Sequence, residues 1–539
     1  MNRKLLFFLL LFPNILFARK FYISSSIGND SYTYLQAQNS ATPWASLKKV
    51  NDFANTAFAY PNFPAAGDTF AFKCGDVFTN GYNSPSWPGA LVWWGSNRSG
   101  GWVAPSGTAA HPIVFTSYGI GDKPNLLYAT PTATASNNRF VLNFSSMKNI
   151  VVDGLQFNDT RYSSFAYNDK VGSALTCMGV NIEGIGTAQC DSIIIKNCYF
   201  SNIGYGIQAV GNHINILNDS FVNMKNVGDT SGAFDIGAVP ILVSGKYFQI
   251  INNYMKGGWA FTGWQASGQG LNGGCLEILN DFDSSFIGYN TAVDCAGFSE
   301  MGNNGGGTGA NSPDNDTFAY NKIINCTNIG YINSSLTSTR TLHYWNNIYI
   351  ENQYSRFSGP RFGTDIYSDG QSFASFPNWP LYPQNISTYN YSAFRPMQAS
   401  ASYSADTLVD LRNNIYWITT GLQAIYPTTK TNYLHRNNIF HLMGSYTYPT
   451  VLGSGAALGI GDISTSSKVF VDTSNIHPEN WDLHLNSTSV AINAGTYTGV
   501  SPDFGGTIVT NPPDIGIYEL ITPIPITNIR TRKKFIQIP

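Results

Sequence analysis

Residues 284–302 read SSFIGYNTAVDCAGFSEMG, and this stretch of three short apolar segments separated by Asn and Gly decides the fold. The first segment ends in Asn290, and an apolar side chain, Val293, follows three residues later. Strands this short, joined by tight corners, are typical of one coil of a solenoid. One coil cannot bury its apolar side alone, so it must stack on neighbouring coils to form a core.

The same pattern recurs at least eight times between residues 193 and 440. The repeat Asn residues are Asn197, Asn218, Asn252, Asn290, Asn321, Asn346, Asn413 and Asn437. The apolar residues three positions later are Phe200, Phe221, Met255, Val293, Ile324, Tyr349, Tyr416 and Phe440. The spacing of the repeats varies while the local pattern stays constant, so insertions are confined to loops. We predict one hydrogen-bonded ladder along the solenoid axis, formed by the side chains of Asn197, Asn218, Asn252, Asn290, Asn321 and Asn346.

Composition and the N-terminus narrow the class of protein. Charged residues make up 12% of the chain, about half of the usual ~25%, and no basic run precedes residues 530–534, so we predict no nucleic-acid partner. Arg3 and Lys4 precede a short apolar run at residues 5–12, as in a secretory signal. No later segment approaches the ~20 apolar residues of a membrane-spanning helix. We therefore expect a secreted, periplasmic or cell-surface protein.

The organisation along the chain follows from these patterns. We assign a signal peptide to residues 1–18, a cap with the first strands to 19–110, a β-helix to 111–520 and a C-terminal tail to 521–539. Within the β-helix, residues 353–407 lack a periodic apolar pattern and are predicted to form a long lateral loop.

An amphipathic helix is predicted to cover the first coil, because a solenoid needs a cap over its exposed end. Thr42 is a suitable N-cap for it, Pro43 suits its first position, and Leu47, Val50 and Ala54 recur at helical spacing.

Two further features concern the interior and the end of the β-helix. Cys295 and Cys326 each lie five residues after their repeat Asn, on consecutive coils, and we predict that they stack as buried thiols rather than form a disulfide. The turn-rich end contains DFGG at residues 503–506 and DIGIYE at 514–519, and we predict that it closes the last coil.

Several segments resemble a known superfamily. They are FYISSSIGNDS, PWASLKKVN and GDTFAFKCGDVF near the start, SGTAAHPIVFTSYGIGDKP at residues 106–124, and the closing DFGG and DIGIYE. With them, the chain resembles secreted bacterial β-helix proteins of the pectate-lyase-like superfamily over nearly its whole length. The resemblance implies an all-β, right-handed parallel β-helix (a solenoid) with an N-terminal capping helix. It does not imply one reaction, because the superfamily includes lyases, hydrolases, esterases and non-catalytic binders.

The resemblance also implies that the first sheet and its loops form a substrate cleft. The strands of that sheet would be GYGIQAV, VPILVSG, GCLEILN, GFSEMG and YINSS. In this register, one outward column contains Gln208, Leu242, Glu277, Glu300 and Asn333. Glu277 and Glu300 then lie on adjacent strands, with their carboxylates ~5 Å apart, and directly opposed like charges destabilise a sheet by up to ~1 kcal/mol.

Three arrangements would relieve this repulsion: a shared proton, a bound cation, or side chains splayed apart in water. A shared proton suits the two carboxylates of a glycosidase, and a cation suits Ca²⁺ with Asp281 and Asp283 near one edge. Splayed side chains would make the two residues an ordinary surface pair. We predict that Glu277 and Glu300 are catalytic without a cofactor, with a Ca²⁺ site on the same two residues as the alternative.

The flanking residues suggest a sugar-binding cleft. Trp259 and Trp264 lie just before the Glu277 strand and could stack on sugar rings, with Gln265 as a polar contact; alternatively, both indoles plug the side of the solenoid. We also predict Gln208 and Asn333 as substrate contacts. The chain lacks the motif set of polygalacturonase-like hydrolases and the Arg-x-Pro-x-x-Arg segment of typical pectate lyases.

The sequence therefore predicts a monomeric, exported protein whose partner is a polysaccharide. The first hypothesis is a glycoside hydrolase-like enzyme with a paired-Glu site. The alternatives are a metal-assisted polysaccharide lyase and a non-catalytic carbohydrate-binding or surface protein.

Overall fold

The computed structural model describes residues 18–55, 63–79, 91–94, 106–128, 139–159, 170–171, 177–184, 189–224, 228–229, 238–258, 274–279, 282–295, 297–302, 314–326, 328–333, 340–351, 397–399, 407–418, 425–426, 431–442, 458–475 and 477–520. The predicted signal peptide, apart from Ala18, and the predicted tail at 521–539 lie outside these ranges. Most of the predicted lateral loop at 353–407 also lies outside them, but Met397–Ala399 form a strand.

The chain forms a parallel β-helix, which confirms the predicted all-β fold. Each complete coil contributes one strand to each of three parallel stacks; the first and second stacks join into one sheet of 22 described strands, and the third is a sheet of 12. The first stack, called the first sheet below, comprises Leu91–Trp94, Arg139–Ser145, Cys177–Glu183, Tyr205–Asn212, Val239–Lys246, Leu276–Ile278, Ser299–Gly302, Gly330–Asn333, Met397–Ala399 and Ile425–Tyr426.

The other two stacks complete the coils. The second sheet comprises Lys20–Ile23, Thr69–Lys73, Ile113–Tyr118, Lys148–Asp153, Cys190–Lys196, Asn215–Leu217, Gln249–Ile251, Phe286–Gly288, Asp316–Ala319, Arg340–Trp345, Thr407–Arg412 and Thr431–Arg436. The third sheet comprises Val77–Thr79, Asn125–Tyr128, Gln156–Asp159, Tyr199–Ser201, Ser220–Val222, Tyr254–Lys256, Thr291–Val293, Lys322–Ile324, Ile348–Glu351, Ile415–Ile418, Ile439–Leu442 and Ile463–Thr465. The remaining described elements are the α-helix Leu47–Asn55, the 3-10 helices Gln36–Gln38 and Pro478–Asn480, the parallel pair Lys170–Val171 with Gly228–Asp229, and the antiparallel pair Phe470–Asp472 with Asp482–Leu485.

The N-terminal helix packs on the first coil but begins later than predicted. Ser46, rather than Thr42, precedes the first turn, and its Oγ accepts a hydrogen bond from the backbone N–H of Lys49. The ring of Phe53, in this helix, lies 5.0 Å from the ring of Phe21 on the first strand. Among the described residues, no helix is long and apolar enough to cross a membrane.

The corner between the second and third sheets carries two adjacent polar columns. The outer one, the left-handed column, has φ between 53° and 75° in ten successive coils, a conformation that Gly and Asn tolerate best. Its members are Gly154, Asn197, Asn218, Asn252, Tyr289, Tyr320, Asn346, Asn413, Asn437 and Gly461. The next residue of each coil enters a buried column, the amide ladder, whose members are Cys198, Asp219, Asn253, Asn290, Asn321, Asn347, Asn414, Asn438 and Asp462.

The predicted single ladder is therefore wrong, because it mixes the two columns. Asn290 and Asn321 belong to the amide ladder, since Tyr289 and Tyr320 occupy the left-handed position before them. The other four predicted residues lie in the left-handed column. The same shift of one residue places Ala292 and Ile323 in the main core, while Val293 and Ile324 point to the other side of the strand and are fully buried in a second apolar cluster with the C-terminal segment.

The C-terminal segment, residues 491–520, lies along the side of the coils instead of across the end of the last one. It runs beside the left-handed column: Tyr289 Oη donates to the Pro502 carbonyl at 2.8 Å, and Asn437 Nδ2 donates to the Ala494 carbonyl at 2.9 Å. The carboxylates of its DFGG and DIGIYE motifs accept backbone N–H groups. Asp503 binds the N–H of Thr507 and Glu519, each at 2.7 Å. The two motifs therefore hydrogen-bond to each other and hold the C-terminal segment in its folded shape.

Candidate functional site

One register position of the first sheet forms a continuous row, called the outer row. Its members, in coil order, are Val92, Asn143, Asn181, Gln208, Leu242, Glu277, Glu300, Tyr331, Gln398 and Tyr426. Glu277 projects outward, because its neighbours Leu276 and Ile278 are both buried in the core. The row therefore lies on the outer face of the sheet that was expected to form the cleft.

Glu277 and Glu300 are direct neighbours in this row. They are register partners on the adjacent parallel strands Leu276–Ile278 and Ser299–Gly302, and both side chains are half-buried. In-register residues on adjacent strands lie ~4.8 Å apart. The structure thus brings together the two carboxylates that the sequence singles out.

Of the two predicted substrate contacts on the first sheet, Gln208 and Asn333, one lies in the outer row and the other does not. Gln208 lies in the outer row two strands from Glu277, with Leu242 between them. Asn333 does not, because Tyr331 is the register partner of Glu300 and Asn333 pairs with Gly302. The cause is the alternation of the strand: Ile332 aligns with the core residue Met301, which fixes Tyr331 one step before it.

Other predicted residues lie elsewhere or outside the described part of the chain. Trp259, Trp264, Gln265 and Asp281 are outside the described residues. Asp283 lies at a corner of its coil, and its Oδ2 is 2.9 Å from Lys246 Nζ. This ion pair gives Asp283 a partner other than the Glu277–Glu300 pair.

Sequence reasoning missed the amide part of the outer row. Asn181 is fully buried, and its Nδ2 donates to Asn143 Oδ1 at 2.6 Å. Asn181 Oδ1 is buried without a hydrogen-bond partner. The sequence carried a signal for these amides: Asn143 in VLNFS and Asn181 in GVNIE are polar residues inside an apolar alternation. They extend the row over the two strands that precede the strand of Gln208. Asn181 Oδ1 is a buried acceptor that the protein itself leaves unpaired, but it is not exposed to a ligand.

An apolar cluster borders the same face. It consists of Phe140, Met178, Tyr205, Val239 and Leu242, all at most 8% exposed, and it does not belong to the interior core. The outer row therefore combines amides, carboxylates and a neighbouring apolar bank, as ligand sites commonly do.

A second polar cluster lies on the second sheet and has a different character. Arg412 Nη2 is 2.6 Å from Asp410 Oδ2, Trp345 Nε1 donates to the same carboxylate, and His343 Nδ1 is 3.5 Å away. Burial opposes ionisation of Asp410, but the nearby His343 ring and the hydrogen bonds and charge of Arg412 outweigh it and lower its pKa; His343 Nδ1 is too distant to count as a hydrogen-bond donor. Both oxygens of this carboxylate are paired, with Arg412 or Trp345, so we do not take the cluster as a second candidate site.

The Ca²⁺ alternative can be judged on the donor set. Ca²⁺ takes 6–8 oxygen ligands, and two carboxylates supply at most four. Among the described residues, no third carboxylate or His joins Glu277 and Glu300 in a metal-binding group. A cation at this pair would need most of its remaining oxygens from water and substrate.

Comparison with known proteins concerns the fold. No protein-family model matches the sequence, and no curated protein is significantly similar to it. Among solved structures, a GH136 lacto-N-biosidase from Eubacterium ramulus is 12% identical, covering 79% of this chain and 68% of that one, with a TM-score of 0.42. A rhamnogalacturonan lyase is 13% identical, covering 78% and 87%, with a TM-score of 0.42. A pectate lyase is 14% identical, covering 93% and 96%, with a TM-score of 0.35.

Proposed function

We propose that this protein is a polysaccharide-active enzyme that cleaves glycosidic bonds with Glu277 and Glu300. The observation that supports this most is their register: two carboxylates oppose each other on adjacent strands, in a chain with only 12% charged residues. Retaining glycosidases place an acid and a nucleophile ~5–5.5 Å apart, close to the ~4.8 Å spacing of neighbouring strands. In such a site one carboxyl group protonates the leaving oxygen, and the other attacks the anomeric carbon.

The rest of the outer row suits a carbohydrate chain. From Gln208 to Glu300 the row crosses three strand steps, or about 14 Å. Gln208 is only partly buried and offers an amide donor and acceptor for sugar hydroxyls, whereas Asn143 and Asn181 are buried beneath the surface. A chain lying across the strands, with its scissile bond over Glu277 and Glu300, would reach Gln208.

The second candidate is a metal-assisted polysaccharide lyase. The outer row is negatively charged, so an acidic substrate would need a cation between itself and the row. No residue of the outer row is Lys or Arg, whereas a lyase must stabilise the negative charge that develops beside a uronate carboxylate. A cation between the row and the uronate would supply that charge.

Product analysis on a panel of neutral and uronate-containing polysaccharides separates the candidates. A hydrolase releases reducing ends only, whereas a lyase also produces the ultraviolet absorbance of an unsaturated uronate. A binder retains the polysaccharide and releases neither product.

We expect Glu277→Gln and Glu300→Gln each to lower the cleavage rate by about 10²–10⁴-fold, the usual contribution of an acid–base group. Glu479→Gln is the matched control, because Glu479 is a partly buried Glu paired with Lys256 outside the first sheet. Full activity in both site variants would overturn the proposal.

A further inference from the structure

Three buried cysteine thiols meet at one point of the interior. Cys295 and Cys326 follow third-sheet strands on consecutive coils, and Cys275 precedes the first-sheet strand Leu276–Ile278. All three are fully buried and free, and their Sγ atoms lie within 4.8 Å of one another. The prediction that Cys295 and Cys326 are stacked thiols is confirmed, but the third sulfur was not anticipated, because Cys275 follows an insertion of variable length.

The sulfur spacing is close to that of a three-coordinate metal thiolate. With metal–sulfur distances of ~2.3 Å, three sulfurs in a plane lie about 4.0 Å apart. Since no two of the sulfurs are more than 4.8 Å apart, no distance exceeds that geometry by more than about 0.8 Å. Small rotations of the three side chains would bring the sulfurs into contact with one ion.

Cys295 Sγ has hydrogen-bond donors around it, and it also lies 3.4 Å from the Val293 carbonyl and 3.8 Å from the Met255 carbonyl. The backbone N–H of Gly258 donates to Cys295 Sγ at 3.4 Å. Burial opposes ionisation, but hydrogen bonds from the thiols of Cys275 and Cys326 and from the N–H groups of Gly258 and Gly257 outweigh it and hold the pKa of Cys295 below its ordinary value. Burial raises the pKa of the other two thiols.

An isolated buried cysteine of the same chain behaves differently. Cys190 also accepts a backbone N–H at 3.4 Å, from Met147. Burial nevertheless raises its pKa to about 11. One N–H contact is therefore not enough to favour a thiolate, and the convergence of three sulfurs distinguishes the other site.

We propose that Cys275, Cys295 and Cys326 form a three-sulfur site for one thiophilic d10 cation, with Cu(I) the best fit. Thiolates select Cu(I) and Zn²⁺, but structural Zn²⁺ takes four protein ligands. Among the described residues, no fourth Cys, His, Asp or Glu joins this group. Each thiol that binds as a thiolate releases its proton to solvent. Because the site is closed, the ion enters as the chain folds.

Such an ion would brace the two strands of the candidate site. Cys275 lies two residues before Glu277, and Cys295 lies five residues before Glu300. The bonds from one ion to the three sulfurs would link the segments that lead into these strands from inside the coil. The proposal itself stands on the thiols alone and does not require the glycosidase chemistry.

The test is to refold the full chain anaerobically with Cu(I), remove loosely bound copper with a Cu(I) chelator, and measure copper content and X-ray absorption. We expect one copper per chain with three sulfur neighbours. Cys275→Ser, Cys295→Ser and Cys326→Ser should each lose this copper, whereas the matched control Cys190→Ser should retain it.

Two results would overturn the proposal. One is a folded wild-type chain that holds no copper after the chelator treatment, and the other is bound copper with fewer than three sulfur neighbours. Both are read on the wild-type chain, so they decide the matter even if a Ser variant fails to fold.

Discussion

The amide ladder and the Glu277–Glu300 pair are built in the same way, by stacking like polar residues in register on neighbouring coils, but they have opposite energetics. In the ladder, Asn321 Oδ1 accepts from the backbone N–H and Nδ2 of Asn290, at 3.1 and 3.0 Å, and Asn321 Nδ2 donates to Asn347 Oδ1 at 3.0 Å. An amide both donates and accepts, so a stack of amides satisfies itself. Ionised carboxylates only accept, so two of them cannot. Hydrogen bonding within the fold therefore explains a stack of amides. It does not explain a stacked carboxylate pair, which we attribute to function.

Asp219 shows what happens when a carboxylate enters the ladder. Its Oδ1 accepts the backbone N–H of Cys198 at 2.6 Å, but its Oδ2 is buried without a partner. Burial raises the pKa of this Asp well above its ordinary value of 3.8. The ladder position thus favours a neutral side chain, which supports the distinction between amide and carboxylate stacks.

The largest expected effect follows from breaking the ladder. Asn321→Leu removes the acceptor for two donors of Asn290 and the donor to Asn347 and to the Ile287 carbonyl. The change removes four buried hydrogen bonds of about 0.5–1.5 kcal/mol each, so we expect a loss of about 2–6 kcal/mol in the free energy of unfolding. Urea denaturation measures it, and a loss below about 1 kcal/mol would show that the ladder is not a stabilising element.

Replacing a carboxylate of the ladder with an amide should have the opposite effect and stabilise the protein. Asp219→Asn restores an amide to the ladder and should raise the free energy of unfolding at neutral pH by about 1–3 kcal/mol. Because the folded pKa of Asp219 is raised, its stabilising protonated form is present below pH 3.8 and is lost as the pH rises through the folded pKa. The advantage of the variant over wild type should therefore disappear on acidification. A difference that does not change with pH would contradict this account.

A smaller effect is expected in the left-handed column, where conformation matters more than hydrogen bonding. Asn252 is exposed with φ of 58°, and Asn252→Ala should cost about 1 kcal/mol because Ala resists this conformation. Asn252→Gly is the matched control: it loses the same bond to Asn218 Oδ1 but accepts positive φ, as Gly154 and Gly461 do in this column. Equal unfolding midpoints for the two variants would show that strain does not select the residue.

The sequence predicts local features of this molecule better than distant ones. The coil, its strands and the pairing of Glu277 with Glu300 follow from short apolar patterns that repeat. The ladder register was wrong by one residue in two coils, because Tyr289 and Tyr320 hold a position that otherwise takes Asn or Gly. Their hydroxyl groups bind the carbonyls of Pro502 and Val500, at 2.8 and 3.3 Å, and such contacts join residues about 200 positions apart.

The same limit applies to the candidate site. The register of Gln208 with Glu277 could be predicted, because both strands continue a regular alternation. Asn333 was misplaced although no insertion precedes its strand: Glu300 lies seven residues after Val293, and Tyr331 lies seven residues after Ile324, so equal spacing already gives the observed register. The thiol cluster was missed for a different reason: Cys275 approaches Cys295 only after an insertion whose length carries no register information.

The cleavage rate of Glu277→Gln and Glu300→Gln, measured beside the free energy of unfolding of the same preparations, tests the central claim most directly. The claim is that two opposed carboxylates are kept for function at the expense of stability. It predicts that each variant is more stable than wild type, by up to about 1 kcal/mol, because cross-strand repulsion is relieved. The same variants should lose about 10²–10⁴-fold in rate. Variants that gain stability and keep the wild-type rate would show that the pair is only a surface feature of the sheet.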